Sequence, residues 1–196
     1  MQPAIALLEF DSIAIGVLAG DAMVKRAPVE VTYAGTVHPG KYLVLVGGDT
    51  ASVEESYAAG LTIGKEVLID KIILPSAHPE VVRYLRGMRG RVTGEALGIV
   101  ETTTVAATLG AADRGLKEAD VDLVELKLAD RLGGKAYCVF SGTVANAQAA
   151  VEAAVASINN PSTLVAEVVI PDFHDEMLAN LEAATEFSIR ITGGRG

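Results

Sequence analysis

Short apolar runs alternate with longer Ala- and Leu-rich segments along the chain, and polar positions mark where each element ends. The first run, residues 4–10, is apolar except for Glu9, and its length and polar boundaries predict a strand. The segment 13–25 is rich in Ala and Leu and ends before a proline, which predicts a helix that Asp11 or Ser12 caps. The chain thus opens with a strand followed by a helix.

The rest of the chain continues this pattern in two halves. The first half adds predicted strands over 29–36, 41–46 and 67–74, a helix from its cap at Thr50 to about 65, and a short helix over 79–85. After a Gly- and Arg-rich linker, 86–94, the second half predicts strands over 96–102, 121–128, 135–140 and 164–170, helices over 105–117, 144–157 and 176–184, and an added strand over 187–192. This order predicts an α+β chain of two ferredoxin-like βαββαβ domains, 1–90 and 95–196, each with an antiparallel sheet and helices on one face.

The two halves also match residue by residue, first at an offset of 92, then 94, then 96. A repeat unit of about 90 residues is too long for a solenoid, so each copy is predicted to be a domain with its own core. The matched positions include Glu9/Glu101, Ala14/Ala106, Asp21/Asp113, Lys25/Lys117, Gly40/Gly134, Lys41/Lys135 and His78/His174.

Composition narrows the possible functions. Among 196 residues the net charge is −9, which argues against a nucleic-acid partner because phosphates require a basic face. No apolar run reaches the length of a membrane span, and no signal-type segment precedes the first strand. The single cysteine, Cys138, is expected in a core strand, and a reducing cytoplasm is predicted. Half of the residues are hydrophobic and only 21% are charged, which suggests that outer surfaces are buried against other subunits.

Several motifs occur together in the first half: Glu-x-x-x-x-Ala, Ala-Gly-Asp-Ala-Met-Val-Lys, a Gly-containing loop, Gly-Gly-Asp and Ile-Leu-Pro-x-x-His. In combination they resemble the bacterial microcompartment shell-protein domain, and the resemblance covers residues 4–181. Two copies in one chain resemble the tandem-domain class, whose members form trimers that look like hexamers. The unpermuted strand order resembles the propanediol-utilisation type.

The resemblance implies a structural protein: a trimeric tile that packs with other shell proteins around enzymes and has a central pore for small polar metabolites. It implies a place in a microcompartment shell in the cytoplasm, with no cofactor and no catalytic residue. It also implies that Lys25 and Lys117 lie at tile edges, although Ser76 and Asp172 stand where the family often has an arginine that helps this contact. The implied pore residues are His38, Pro39 and Gly40 of the first copy and Leu132, Gly133 and Gly134 of the second, with Arg131 beside them.

Some of these residues allow other interpretations. Some relatives carry a Cys at the loop position of His38 and hold an iron–sulfur cluster on the threefold axis, so three His38 imidazoles could bind a metal. They could instead form a pH-dependent gate or only a solvated pore lining. Asp130 and Arg131 could form a charged ring or an exposed ion pair. The repeated Glu9/Glu101 and His78/His174 are predicted to be structural acceptors and caps. An electron-transfer protein and an oligomeric sensor or small enzyme remain the alternative functions.

Overall fold

The computed structural model describes residues 3–183, which form two similar halves. The first half contains β1 (Ala4–Phe10), α1 (Ile13–Arg26), β2 (Glu30–Val37), β3 (Lys41–Gly48), α2 (Thr50–Gly64), β4 (Leu68–Leu74) and α3 (Pro79–Leu85). The second half contains β5 (Ala96–Thr102), α4 (Val105–Glu118), β6 (Asp122–Leu128), β7 (Ala136–Gly142), α5 (Val144–Ala156), β8 (Leu164–Pro171) and α6 (Asp175–Ala183). Short 3₁₀ turns precede β4 and β8.

Each half contains one four-stranded antiparallel sheet, in the order β2-β3-β1-β4 and β6-β7-β5-β8. The predicted α+β class and the predicted order of elements are therefore confirmed. Strand β3 extends two residues beyond its predicted end at 46, because Gly47 and Gly48 still pair with β1. Strand β7 likewise continues to Gly142 and begins at Ala136. The predicted strand over 187–192 lies outside the described residues.

Side-chain caps set where the long helices begin. Ser12 accepts a hydrogen bond from the Ile15 amide at 3.4 Å and starts α1, as expected. The predicted cap of α2, Thr50, is wrong: Asp49 accepts from the Ser52 amide at 3.0 Å. This hydrogen bond from the Ser52 backbone amide lowers the pKa of Asp49, because it stabilises the charged carboxylate.

The two halves share part of their hydrophobic core. Strand β1 is buried along all seven residues, and its Leu8 and Phe10 pack towards Met23 of α1 within the first half. On the other face of the same strand, Leu7 belongs to a cluster that includes Leu109 of α4. The second copy is therefore packed against the first through α4, which contacts both β1 and β4. None of the helices within residues 3–183 is long and apolar enough to cross a membrane.

Candidate functional site

The structure brings the two predicted pore loops together. Gly134 has a left-handed φ of +80° and is buried. A Cβ atom at Gly134 would lie 2.7 Å from the His38 carbonyl oxygen and 3.0 Å from Pro39 Cδ. The loop of the first copy therefore covers the loop of the second, whereas Gly40, the counterpart of Gly134, is exposed.

Lys41 joins this pair of loops to the contact between the two copies. Its Nζ donates to the carbonyl oxygens of Thr103 at 3.0 Å and Gly134 at 3.4 Å, and it lies 3.4 Å from Glu9 Oε2. The other carboxylate oxygen of Glu9 accepts from the Ala106 amide, in the first turn of α4, at 2.7 Å. The prediction that Glu9 is a structural acceptor is thus confirmed, and its backbone donor lies at the contact between the two copies of one chain. The sequence pattern alone does not show that Lys41 crosses between the copies.

Burial controls the ionisation of Glu9. The side chain is completely buried, and this desolvation raises the pKa of the carboxyl group above its ordinary value of 4.5. The Ala106 amide and the Lys41 ammonium lower the pKa, but they offset burial only in part. The ionised form is therefore held by two partners in an environment that opposes it.

The side chains of the other predicted pore residues in and beside these two loops are mostly exposed. His38, Pro39 and Arg131 are exposed, and Arg131 has a left-handed φ of 62°. Among the described residues of one chain, no group of three or more His, Cys, Asp or Glu side chains is arranged to hold a metal. Metal binding by His38 would need the same residue from other chains, and it stays a prediction.

Replacing Gly134 by alanine is expected to destabilise the second pore loop more than replacing Gly133. Both residues have positive φ, at 80° and 62°, so a Cβ atom costs roughly 1–2 kcal/mol at either position. A Cβ atom at Gly133 would meet no atom within 4 Å, whereas one at Gly134 would also press on His38. Thermal unfolding should show a lower midpoint for Gly134→Ala than for Gly133→Ala. Equal midpoints would contradict the contact between the loops.

The two predicted edge lysines have different surroundings. Lys25 pairs with Asp21 at 2.6 Å, and its side chain is 73% exposed. Its counterpart Lys117 pairs with Asp113 at 2.6 Å and also donates to the Ser76 carbonyl oxygen of the first copy at 2.6 Å. Asp113 accepts in turn from the amide of His78, the residue that caps α3. Lys117 therefore lies at the contact between the copies, and the role of both lysines at a tile edge stays a prediction.

The first helix of each copy has the same kind of apolar residues but very different exposure. On α4, Val105, Leu109 and Leu116 are at most 6% exposed, because this helix packs on the first copy. Their counterparts Ile13, Val17 and Val24 are exposed. Together with Leu18 they form an apolar surface, here called the α1 face, at 42–51% exposure. The strand that corresponds to β4 is β8, and its Val165 and Val168 are each 44% exposed.

The comparison with protein families decides the identity of both copies. The BMC domain matches residues 4–77 and 96–173, so it occurs twice and covers most of the chain. The chain belongs to the bacterial microcompartment shell proteins. It is 40% identical, over 90% of its length and 96% of the relative, to bacterial microcompartment shell protein PduT of Citrobacter freundii. It is also 26% identical, over 93% of its length and 65% of the relative, to carboxysome assembly protein CcmO of Synechocystis.

Solved structures support the same assignment. A crystal structure of a microcompartment protein from Desulfitobacterium hafniense DCB matches with a TM-score of 0.78 and 40% identity, over 90% of this chain and 98% of that one. A fused permuted hexameric shell protein of the RMM microcompartment, at 20% identity and a TM-score of 0.58, shares the fold. The tandem, unpermuted shell protein predicted from the sequence is confirmed, and its role is that of a structural component of the shell.

Proposed function

We propose that this shell protein assembles as a homotrimer, a pseudohexagonal tile with a central pore, in the shell of a cytoplasmic microcompartment. The observation that supports the proposal is that one contact between neighbouring domains forms within each chain. The matching surfaces for a second contact of the same kind are left exposed. Helix α4 packs on β1 and β4 of the first copy, whereas the corresponding α1 face and β8 are exposed. Three chains joined head to tail would close a ring of six domains and cover both surfaces.

One close contact within the chain has apolar counterparts on the two exposed surfaces. Within the chain, a Cβ atom at Gly110 of α4 would lie 3.3 Å from Ile72 Cδ1 of β4. The counterparts of this pair are Leu18 of the α1 face and Val168 of β8. Leu18 is much larger than Gly110 and Val168 is only slightly smaller than Ile72, so the contact between chains would be apolar but would need more room than the contact within the chain.

Polar counterparts support the same contact. Glu101 occupies the position of Glu9, but its side chain is 31% exposed and pairs with Lys135 at 2.6 Å. In the closed ring, Glu101 would accept from the amide of Ala14 in a neighbouring chain, as Glu9 accepts from Ala106. Glu101, which is partly exposed in one chain, would be buried in the trimer and would gain a backbone donor in addition to Lys135.

The position of the two loops supports a central pore in the proposed ring. In a ring, the loop of residues 38–40 covers the loop of residues 132–134 within each chain and meets the next chain on its other side. The lining would alternate between His-Pro-Gly and Arg-Leu-Gly-Gly, so its chemistry would be threefold. Exposed His38 and Arg131 side chains and backbone groups favour small polar metabolites as the molecules that cross.

The native mass of the purified chain and a cross-linking experiment test this assembly. A mass three times the 20.3 kDa of one chain is expected, and a monomer or dimer would contradict it. The substitution His38→Cys should place three thiols around the axis, so that a tris-maleimide reagent links most chains into covalent trimers. The native thiol of Cys138 should not react, because it is buried and burial raises its pKa to about 12.

Glu54→Cys provides the matched control for cross-linking, since Glu54 is exposed on α2 in the first copy. It should bind the reagent without forming covalent trimers. Equal yields of trimer at the two positions would show that the reagent links random collisions, and the pore assignment would then fail.

A further inference from the structure

A pocket lies away from the pore loops, where α3 and the linker of the first copy meet β6 of the second. Its volume is about 250 Å³, and it exists within a single chain. Three of the residues that line it, Arg83, Arg89 and Arg91, are arginines. Tyr84, Met88 and Leu123 contribute apolar surface to the lining, and the remaining lining residues are Glu80, Gly90, Thr93 and Asp122.

This concentration of positive charge is unusual in an acidic chain. The protein has 16 basic and 25 acidic residues, yet four of the arginines fall within residues 83–91. All four are exposed, and in the part of the chain that the structure describes none of them is in an ion pair. In the second copy, Ala179 and Glu182 stand at the positions of Arg83 and Arg86, so the basic cluster is specific to the first copy.

The two acidic residues of the pocket already have hydrogen-bond donors. The carboxylate of Glu80 accepts from the Leu123 amide at 2.6 Å and thereby ties α3 to the second copy. The carboxylate of Asp122 accepts from the hydroxyl of Thr93. The acidic groups therefore fix the walls, and the guanidinium groups are left to interact with a bound molecule.

The linker that carries Arg89 and Arg91 is held in place by the second copy. The Gly90 amide donates to the Tyr84 hydroxyl at 2.6 Å, and this hydroxyl donates to the Val124 carbonyl oxygen. Further along, Ser141 Oγ accepts from the amides of Thr93 and Gly94. Because these contacts fix the backbone, part of the ordering cost of binding is already met in the free protein.

We propose that this pocket binds a small phosphate monoester with an apolar body. Guanidinium groups match the oxygens of a phosphate in a bidentate geometry, and three arginines line the space. The Tyr84 ring, Met88 and Leu123 offer the apolar body a surface to cover. Pockets for drug-sized ligands are roughly 300–1,000 Å³, so a volume of about 250 Å³ suits a smaller molecule.

Calorimetric titration of the full chain with phenyl phosphate at low ionic strength tests this assignment. We expect phenyl phosphate to bind more tightly than inorganic phosphate, which lacks the apolar body, and more tightly than benzoate, which carries one negative charge. The substitutions Arg89→Gln and Arg91→Gln should each weaken phenyl phosphate binding about tenfold or more, because each removes a hydrogen bond between charged groups.

Arg86→Gln is the matched control, since Arg86 has the same charge and lies in the same segment but does not line the pocket. It should change the affinity about twofold or less, through the long-range field alone. If Arg86→Gln and Arg89→Gln lower the affinity for phenyl phosphate equally, the binding would be explained by long-range electrostatic attraction. That result would overturn the assigned site. Benzoate binding as tightly as phenyl phosphate would overturn the ligand class, and the absence of measurable phenyl phosphate binding would overturn both.

Discussion

The substitution Val17→Asp is expected to convert the trimer into folded monomers. Val17 is 51% exposed in one chain, so a charged side chain at this position can remain in water when the chain is alone. In the proposed ring the same position is covered by β8 of a neighbouring chain, as Leu109 is covered in the first copy. An unpaired charge buried at each of three contacts costs at least about 3 kcal/mol per contact, which is more than a hundredfold in each association step.

Native mass and circular dichroism together measure this effect. The variant should have the mass of one chain and the same far-ultraviolet spectrum as the original protein. Ile63→Asp is the matched control, because Ile63 is 42% exposed but lies on α2, outside the α1 face, and it should leave the trimer intact. A Val17→Asp protein that remains trimeric, or an Ile63→Asp protein that dissociates equally, would contradict the proposed interface.

The repeat and the order of elements could be predicted from the sequence because both depend on local patterns. Apolar runs of strand length, helix caps and the spacing of matched residues are all visible along the chain, and they led to the correct sheets. Errors fell at element ends, where a local rule competes with pairing. The predicted end of β3 at residue 46 is an example, because Gly47 and Gly48 have antiparallel partners on β1 that keep them in the sheet.

The difference in exposure between the two copies could not be predicted in the same way. Val17 and Leu109 are both apolar residues at matching helical positions, so composition and periodicity give them the same interpretation. Only the packing of α4 on the first copy makes one of them buried and leaves the other exposed. The same holds for Lys25 and Lys117, whose partners depend on which copy precedes the other in the chain.

The contacts of Lys41 with residues far away along the chain are a further property that sequence spacing does not reveal. Its three partners, Glu9, Thr103 and Gly134, are 32, 62 and 93 residues away. The repeat contains this lysine in both copies, as Lys41 and Lys135. That repetition indicates a shared structural role, but it does not identify the residues that the lysine contacts. Only the fold shows that one ammonium group links a pore loop with the contact between copies.

Replacing Lys41 by methionine is expected to cost about 3 kcal/mol or more of stability near neutral pH. Methionine keeps much of the length of the side chain, but it removes the cation that faces Glu9. The Lys41 side chain is only 14% exposed and that of Glu9 is not exposed at all, so the remaining carboxylate would be a buried charge without its ionic partner. The second pore loop would also lose the donor to the Gly134 carbonyl oxygen.

The loss should depend on pH in a direction that the pKa of Glu9 fixes. Burial raises this pKa in the folded protein above its ordinary 4.5, so ionisation of Glu9 opposes folding. The stability associated with the protonated group is fully present below about pH 4.5 and is lost as the pH rises through the folded-state pKa. Without Lys41, which lowers the pKa of Glu9, the variant should continue to lose stability to a higher pH than the original protein.

Chemical denaturation between pH 4 and pH 8, at one chain concentration, tests both expectations. The difference in unfolding free energy between Lys41→Met and the original protein should be largest near pH 8 and should decrease towards pH 4. Adding Glu9→Gln to Lys41→Met should restore much of the stability at pH 8, since the amide can still accept from Ala106 without a buried charge. Arg114→Met, which breaks an exposed pair with Glu118, should cost only about 0.3–0.5 kcal/mol.

A difference in unfolding free energy that stays constant with pH would mean that Lys41 acts through packing and not through the charge of Glu9.

The counterpart pair adds a test of assembly, because Lys135 and Glu101 are 48% and 31% exposed in one chain but would be covered in the trimer. In the monomeric Val17→Asp background, Lys135→Met should therefore cost no more than about 1 kcal/mol. In the trimer it should approach the cost of Lys41→Met, because closing the ring places Glu101 in the buried position that Glu9 already has within the chain.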